Sequence, residues 1–239
     1  MGDAESLPAT NNMQGYLAST RMCDHDHPWL LKLAEEIVED ARPPSEKAHR
    51  VFNWVRDRVR FSIAFSRSTA TQTLKRGYGD CVSKTNAQVA LLRAMGIPAR
   101  FRRVKVASVT LQNLIADFVY RRMPPTASHF WPECFLEGRW LSCEAFLDRP
   151  LYEGMLKQGL ITKKQVPTID WDGNSDLIIL EAWIIEDLPS IASPEEAIAY
   201  LKTSEEGMPP LWIERIIAPF FYPWNLRHSD QIRRLPQSG

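Results

Sequence analysis

Helical periodicity fills the first part of the chain, and strand alternation follows it. Apolar side chains recur at helix spacing over 28–38 and again over 45–59. Alternation predicts a strand over 99–106, a hairpin formed by 129–136 and 139–143, and a further strand over 177–185. The Ser/Thr/Gly-rich stretch 62–80 is predicted as a loop, and two more helices are predicted near 194–201 and 210–220. Helices followed by strands predict an α+β fold in which helices pack on an antiparallel sheet.

A glycine-rich turn leads into a third helical pattern at a cysteine. Gly77 and Gly79 precede Cys81, and helix spacing runs over 81–95 before Gly96 ends it. A thiol at a helix N-terminus lies at the positive end of the dipole, beside free N–H groups that favour thiolate and can bind an oxyanion. Free cysteine is also commonly buried. By itself, therefore, the pattern predicts either a nucleophile or a core thiol.

A nucleophilic cysteine needs a base and a group that orients the base. His129 begins the first strand of the predicted hairpin, and Glu144 follows the second strand. If the strands pair, the carboxylate can approach the imidazole. Glu144 is thus either the orienting group or a surface carboxylate, and Asp148 is a second candidate for the orienting role.

The other cysteines and histidines form weaker patterns. Cys134 and Cys143 lie in predicted strands, where they would fill the core. Cys23, His25 and His27 form a Cys-x-His-x-His run, which matches no recognised zinc spacing and has no second ligand pair. We predict no metal and no cofactor, and we expect free thiols because a chain of 239 residues can build a core without disulfides.

Charge and hydropathy limit the classes of partner. Lys+Arg and Asp+Glu both number 29, which does not suggest a nucleic-acid partner. No apolar run approaches the roughly 18 residues that span a bilayer, and the start lacks secretory features, so we expect a cytoplasmic protein without a membrane partner. Gly2 and Ser6 fit the loose N-myristoylation pattern. The oligomeric state is not predicted.

Three ordered blocks, 79–84, 90–100 and 129–133, resemble the transglutaminase-like superfamily. That family shows a G-x-C turn opening a helix, an A-L-L-R-A-x-G-I-P-A-R exit, and an H-x-W-x-E strand followed by W-x-x-x-D. The helix around 46–55 is similar to the one before the family's catalytic loop. The resemblance covers about 30–148 and implies a papain-like domain with a Cys-His-Asp plan.

Carried over by position, the resemblance makes Cys81 the nucleophile and His129 the general base and acid. Glu144 stands where the family usually has Asp, with the same charge and one more methylene. Pro132 is a second departure, because proline lacks a ladder donor and suggests an edge strand or a bulge. For the oxyanion, the candidate donors besides the Cys81 N–H are Tyr78 and Gln72.

The predicted function is acyl transfer through a covalent acyl-enzyme on Cys81. The substrate would be a small-molecule or peptide amide, ester or related carbonyl compound, and the enzyme a transglutaminase-like, thiol-protease-like hydrolase or acyltransferase. One alternative is an enzyme that makes or breaks an amide or carbon–carbon bond of a small molecule with the same triad. The other is a non-catalytic binding module. No calcium requirement is expected.

The predicted organisation is a loose arm over 1–27, a catalytic core over 28–150 and an extension over 151–239 that packs on the core. The extension is rich in aromatic side chains, which either pack the back of the domain or wall an apolar pocket. These are Trp171, Trp183, Trp212, Phe220, Phe221, Tyr222 and Trp224.

Overall fold

A computed structural model describes residues 13–62, 67–115, 117–204 and 211–234. The helices are α1 Pro28–Val38, α2 Pro44–Arg58, α3 Ala70–Arg76, α4 Cys81–Ala94, α5 Asp117–Tyr120, α6 Arg149–Lys157, α7 Pro194–Thr203 and α8 Leu211–Arg233. The strands are β1 Arg60–Phe61, β2 Tyr78–Gly79, β3 Ala99–Ala107, β4 Thr126–Leu136, β5 Arg139–Ser142 and β6 Ile184–Ile191.

The main sheet is antiparallel, with strand order β5-β4-β3-β6. β4 and β5 form the predicted hairpin, whose turn residues Glu137 and Gly138 have φ of 51° and 84°. These left-handed values suit a two-residue type I′ turn. β3 ends and β4 begins at the same end of the sheet, where Ala107 lies opposite Thr126. We call this the His129 end of the sheet, because His129 lies three residues from it. The α+β class with helices on an antiparallel sheet is confirmed.

Helix α4 is buried along most of its length and packs against β4. It begins at Cys81 as predicted, and Gly96 follows its end with a φ of 73°. Thr85, one turn after Cys81, donates its Oγ1 hydrogen to Phe130 O at 3.0 Å. This bond ties the first turns of the helix to the strand residue that follows His129.

Part of the predicted N-terminal arm packs on α4. Met22 and Cys23 are buried, and Asn86 Nδ2 donates to Met22 O at 2.9 Å. This stretch differs from the predicted loose arm, because its backbone satisfies a buried amide. Gly2 and Ser6, the residues of the N-myristoylation pattern, lie outside the described residues.

The segment 62–80, predicted as a loop, contains helix α3. Thr69 Oγ1 accepts from Gln72 N at 3.1 Å, and Gln72 Oε1 accepts from Thr69 N at 3.0 Å. This reciprocal capping box starts a short helix that has too few apolar residues to show periodicity.

A second difference is the strand predicted over 177–185, since β6 begins only at Ile184. Leu177 forms an isolated bridge to Cys143, and Ile179 donates its N–H to the Glu144 carboxylate. The segment is apolar enough for a strand, but the Ile179 N–H, which a neighbouring strand would otherwise accept, is bonded to the Glu144 side chain.

Pro132 does not mark an edge strand or a bulge. β4 has neighbours on both sides, and Pro132 pairs in register with Phe101. On the β5 side, Cys143 N donates to Pro132 O at 3.0 Å. Proline has no N–H to return to Cys143 O, and that carbonyl accepts from Gln88 Nε2 at 2.8 Å instead. A side chain of α4 therefore replaces the missing ladder bond.

The last helix extends well beyond the predicted 210–220 and ends at Arg233. Its final turns lie directly on α6, where a Cβ at Gly154 would come within 2.0 Å of Ile232 O. Only glycine permits that approach. None of the helices in the described part of the chain combines the length and the apolar character needed to cross a membrane.

Candidate active site

Cys81 is the first residue of α4 and is partly exposed. Asp80 caps the helix, accepting from Ser83 N at 2.8 Å, while Asp80 N donates to Ser83 Oγ at 3.0 Å. This capping box holds the first turn in place. A thiolate here would lie at the positive end of the helix dipole.

The two glycines before Cys81 are required for different reasons. Gly77 ends α3 with a φ of 74°, a left-handed value that side chains disfavour. Gly79 faces α4, where a Cβ would come within 2.5 Å of Ser83 Oγ. Backbone bonds from Arg60 N to Gly77 O and from Ser62 N to Gly79 O, both 2.9 Å, tie the turn to β1.

His129 and Glu144 are in direct contact. His129 Nε2 lies 2.6 Å from Glu144 Oε1, and both side chains are almost fully buried. Glu144 Oε2 accepts from Ile179 N, and Glu144 N donates to Leu177 O at 3.1 Å. A carboxylate only accepts, so the proton of this contact is on Nε2 and Nδ1 is the remaining ring nitrogen. The alternative of a surface carboxylate is excluded for Glu144.

Aromatic rings hold the imidazole on its other sides. The Phe146 ring meets the His129 ring edge-on with centroids 4.9 Å apart, and Trp131 lies 5.9 Å away. Phe146 in turn packs on Phe61 with centroids 4.4 Å apart. These contacts restrict rotation of the imidazole, which helps to keep it facing one direction.

Cys81 shares one narrow hollow with Glu144, Phe146 and Trp131. We call this space the Cys81 hollow. Its walls come from the start of α4, from β4 and from the connection that follows β5. The structure thus brings the predicted thiol and the predicted orienting carboxylate to one place, with His129 bonded to that carboxylate.

Asp148, the second candidate for the orienting role, has other partners. Its carboxylate accepts from Arg233 Nη2 at 2.6 Å, from Phe61 N at 3.1 Å and from Leu151 N at 3.1 Å. Burial by itself would raise the pKa of Asp148, but the bonds and charge of Arg233 outweigh burial and lower it. Glu144, not Asp148, contacts His129.

The two predicted oxyanion donors lie outside the Cys81 hollow. Gln72 is exposed, and its carbonyl oxygen closes the capping box of α3. Tyr78 lies in β2 with the Arg76 guanidinium 4.7 Å from its ring centroid. Neither lines the hollow as the described residues form it.

Lys84 is a buried residue of the hollow that the sequence prediction missed. It lies one turn after Cys81, is 3% exposed, and donates from Nζ to Phe146 O at 3.2 Å. Burial lowers its pKa to about 7, with Asp148 raising it in part and Arg233 lowering it. The sequence signal for it is a lysine three positions after Cys81, in a helix that has no other charged residue before Arg93.

The other three cysteines are fully buried. Burial raises the pKa of Cys23 to about 12 and raises that of Cys143 well above its ordinary value. Cys134 Sγ lies 3.9 Å from Cys143 Sγ, inside the hairpin. Their burial agrees with the core role predicted for them and makes them poor nucleophiles.

Two of the three candidate metal ligands, Cys23 and His27, have other roles. His27 caps α1, its Nδ1 accepting from Trp29 N at 3.1 Å, and Cys23 is a core thiol. Across the described ranges, no three His, Cys, Asp or Glu side chains are grouped so as to hold a metal ion.

The segment 170–176 has Asp170, Asp172, Asn174 and Asp176 at every second position, a similarity to calcium loops that the sequence prediction missed. Asp170 pairs with two arginines, and Asp176 Oδ1 accepts from Ser142 N at 2.7 Å. The Ser175 hydroxyl and two backbone N–H groups of the same turn donate to the Asp172 carboxylate. These bonds lower the pKa of Asp172 to about 2, the hydroxyl contributing most. The carboxylates are therefore engaged within the protein.

The aromatic side chains of the extension have different environments. Trp171 is buried, with its ring centroid 5.6 Å from that of Phe52. Trp183 lines a cavity described below, and Phe220 and Trp224 are exposed. The side chains of Trp212 and Tyr222 lie outside the described part.

Residues 31–145 match the family model described as the transglutaminase-like superfamily. No curated protein matches the sequence at a significant level. Among solved structures, a candidate cysteine protease from Cytophaga hutchinsonii is 22% identical, with a TM-score of 0.46 over 62% of this chain and 47% of that one. Red sea bream transglutaminase is 14% identical, with a TM-score of 0.42 over 59% of this chain and 32% of that one.

The chain spans less than half the length of these solved structures. The family match itself contains the glycine turn, helix α4 and the hairpin, and therefore Cys81, His129 and Glu144. Residues 31–145 of this chain therefore carry the sequence pattern of the transglutaminase-like superfamily.

Proposed function

We propose that the protein is a cysteine acyl-transfer enzyme in which Cys81 is the nucleophile, His129 the general base and acid, and Glu144 the group that orients His129. The superfamily includes cysteine proteases and acyltransferases. The observation that carries the proposal is the buried contact of 2.6 Å between His129 Nε2 and Glu144 Oε1, beside the hollow that Cys81 enters.

In the proposed first step, His129 Nδ1 takes the thiol proton and Cys81 Sγ bonds to the carbonyl carbon of an amide or ester. The carbonyl electron pair moves to oxygen, and N–H groups at the start of α4 stabilise the oxyanion. The intermediate collapses as His129 protonates the leaving amine or alcohol, which leaves an acyl-enzyme.

In the second step, His129 removes a proton from water or another acceptor, which attacks the acyl carbon and releases Cys81. Glu144 keeps the imidazole in one tautomer and stabilises the imidazolium formed in each step. Glutamate can fill the position of the usual aspartate, and the bond from Ile179 N holds its longer side chain in one orientation.

The test is hydrolysis of p-nitrophenyl acetate together with intact-protein mass spectrometry. We expect the wild type to gain an acetyl adduct, and Cys81→Ala to lose both the adduct and turnover. His129→Gln should also lose turnover. His49→Gln is the matched control, because His49 is on α2 and bonds to Asn53 at 3.1 Å. Unchanged turnover in Cys81→Ala would exclude Cys81 as the nucleophile, whereas a wild type with neither adduct nor turnover would favour a binding module.

The domain limits belong to the same proposal, with 28–150 as the catalytic core and 151–239 as an extension. Contacts support the packing of the extension on the core, since Ile179 N bonds to Glu144 and Arg233 bonds to Asp148. The cytoplasmic location and the small-molecule or peptide substrate stay predictions.

A further inference from the structure

A second cavity lies beside the candidate active site, and we call it the side cavity. Its volume is about 120 Å³. Fourteen residues line it, and none of them carries a charge. They include Leu114, Phe146, Leu160, Val166, Leu180 and Trp183.

The side cavity lies at the His129 end of the sheet. Part of its lining comes from residues 109–114, which follow the end of β3. Leu180 and Trp183, which also line it, lie just before the start of β6. β6 begins opposite Val106, near that same end of the sheet. The connection that follows β5 supplies Phe146. These three connections and the segment 155–166 thus meet near Phe146, whose ring contacts the imidazole.

Phe146 lines both the side cavity and the Cys81 hollow, so the two spaces are adjacent. Its ring is also the one that meets His129 edge-on at 4.9 Å. Leu180, which also lines the side cavity, follows Ile179, whose N–H bonds to Glu144. A group in the side cavity would therefore be next to the His129–Glu144 pair.

The lining determines what kind of group fits. Transfer of a charged group from water into a space without a countercharge is strongly unfavourable. Aliphatic and aromatic walls favour an apolar group, and an apolar cavity of about 150 Å³ accommodates benzene. Amide side chains of Gln112, Asn113 and Gln165 could bond to a neutral polar atom.

We propose that the side cavity binds an uncharged, mainly apolar substituent of about four to six carbons on the carbonyl substrate, and that the Phe146 side chain limits the size of this substituent. The inference rests on the proposed function, since it places the substituent next to the thiol's reaction site. It names the substrate class as small neutral acyl compounds rather than charged peptides.

The test measures alkylation of Cys81, which does not require turnover. N-methyl, N-butyl and N-hexyl iodoacetamides are compared with the N-(3-carboxypropyl) compound, which adds a negative charge at similar length. Cys81 forms a thioether and iodide leaves. Rates come from intact-protein mass spectrometry, are divided by those for glutathione, and use Cys81→Ala as the blank. We expect the butyl reagent to react at least tenfold faster than the methyl or carboxypropyl reagent.

Two variants change the size of the side cavity. Val166→Phe fills it and should bring the butyl-to-methyl ratio close to one. Leu160→Ala enlarges it and should move the preference to the hexyl reagent, which keeps a test available if Val166→Phe does not fold. Wild-type ratios within twofold of one, or ratios that neither variant alters, would overturn the inference.

Failure of the proposed function gives a different result. If Cys81→Ala retains turnover while the wild-type thiol still prefers the butyl reagent, the side cavity binds the ligand but the chemistry is wrong. If Cys81→Ala is inactive and the chain-length preference is absent, the chemistry holds and the assignment of the cavity fails.

Discussion

The buried pair of Arg233 and Asp148 connects the last helix to the candidate active site, and Arg233→Met should destabilise the protein strongly. The two side chains are 8% and 2% exposed, with Nη2 and Oδ2 2.6 Å apart. Removal of one partner from a buried pair typically costs about 3–5 kcal/mol. We expect about 3 kcal/mol, the lower end, because Phe61 N and Leu151 N still donate to Asp148.

Urea unfolding at pH 7 would measure this loss, and Lys32→Met is the matched control. Lys32 pairs with Glu36 at 3.8 Å, but both side chains are largely exposed, and such pairs contribute about 0–1 kcal/mol. An Arg233→Met loss within about 1 kcal/mol of the control would contradict the reasoning, since a buried pair should cost several-fold more than an exposed one.

The same pair predicts a pH dependence. Arg233 lowers the folded pKa of Asp148 despite burial, so its stabilising contribution is complete above the unfolded pKa of about 3.9 and is lost as pH falls through the folded value. The difference in unfolding free energy between wild type and Arg233→Met should therefore shrink below about pH 4. A difference that stays constant down to pH 2 would refute this assignment.

Further predictions concern the site. Glu144→Gln should lower kcat by roughly 10²–10⁴, as loss of an orienting carboxylate does, whereas Asp148→Asn should affect stability more than kcat; esterase kinetics and urea unfolding separate the two. The pKa of Lys84 is lowered to about 7 by burial, so the unfolded chain binds more protons between pH 7 and about 10, and stability rises with pH there. Lys84→Met should remove that rise, as urea unfolding at pH 7 and 9.5 would show. Iodoacetamide at neutral pH should label Cys81 before the three buried cysteines, and peptide mapping that finds equal rates would argue against an activated thiol.

Local sequence was sufficient for helix α4 and the β4–β5 hairpin. Gly79 and Asp80 start the helix through a capping box with Ser83, and Gly96 ends it. Such signals act over a few residues and are visible in the sequence. The family resemblance and the hairpin register also brought His129 and Glu144 together, because pairing of two adjacent strands needs only a short loop.

Contacts between distant residues could not be predicted in this way. β6 starts later than its apolar pattern indicates, because Glu144 accepts from Ile179 N thirty-five positions away. Gln88 replaces the donor that Pro132 lacks, fifty-five positions before Cys143. Neither residue type nor spacing indicates such a partner.

The sequence by itself determined the class of fold, the position of the thiol and the hairpin that carries its partners, since each depends on short-range periodicity, turns and caps. Only the tertiary structure decided that Glu144 rather than Asp148 contacts His129, that Lys84 is buried in the Cys81 hollow, and that Arg233 of α8 bonds to Asp148. The physical reason is that burial and charge pairing depend on which distant segments pack together.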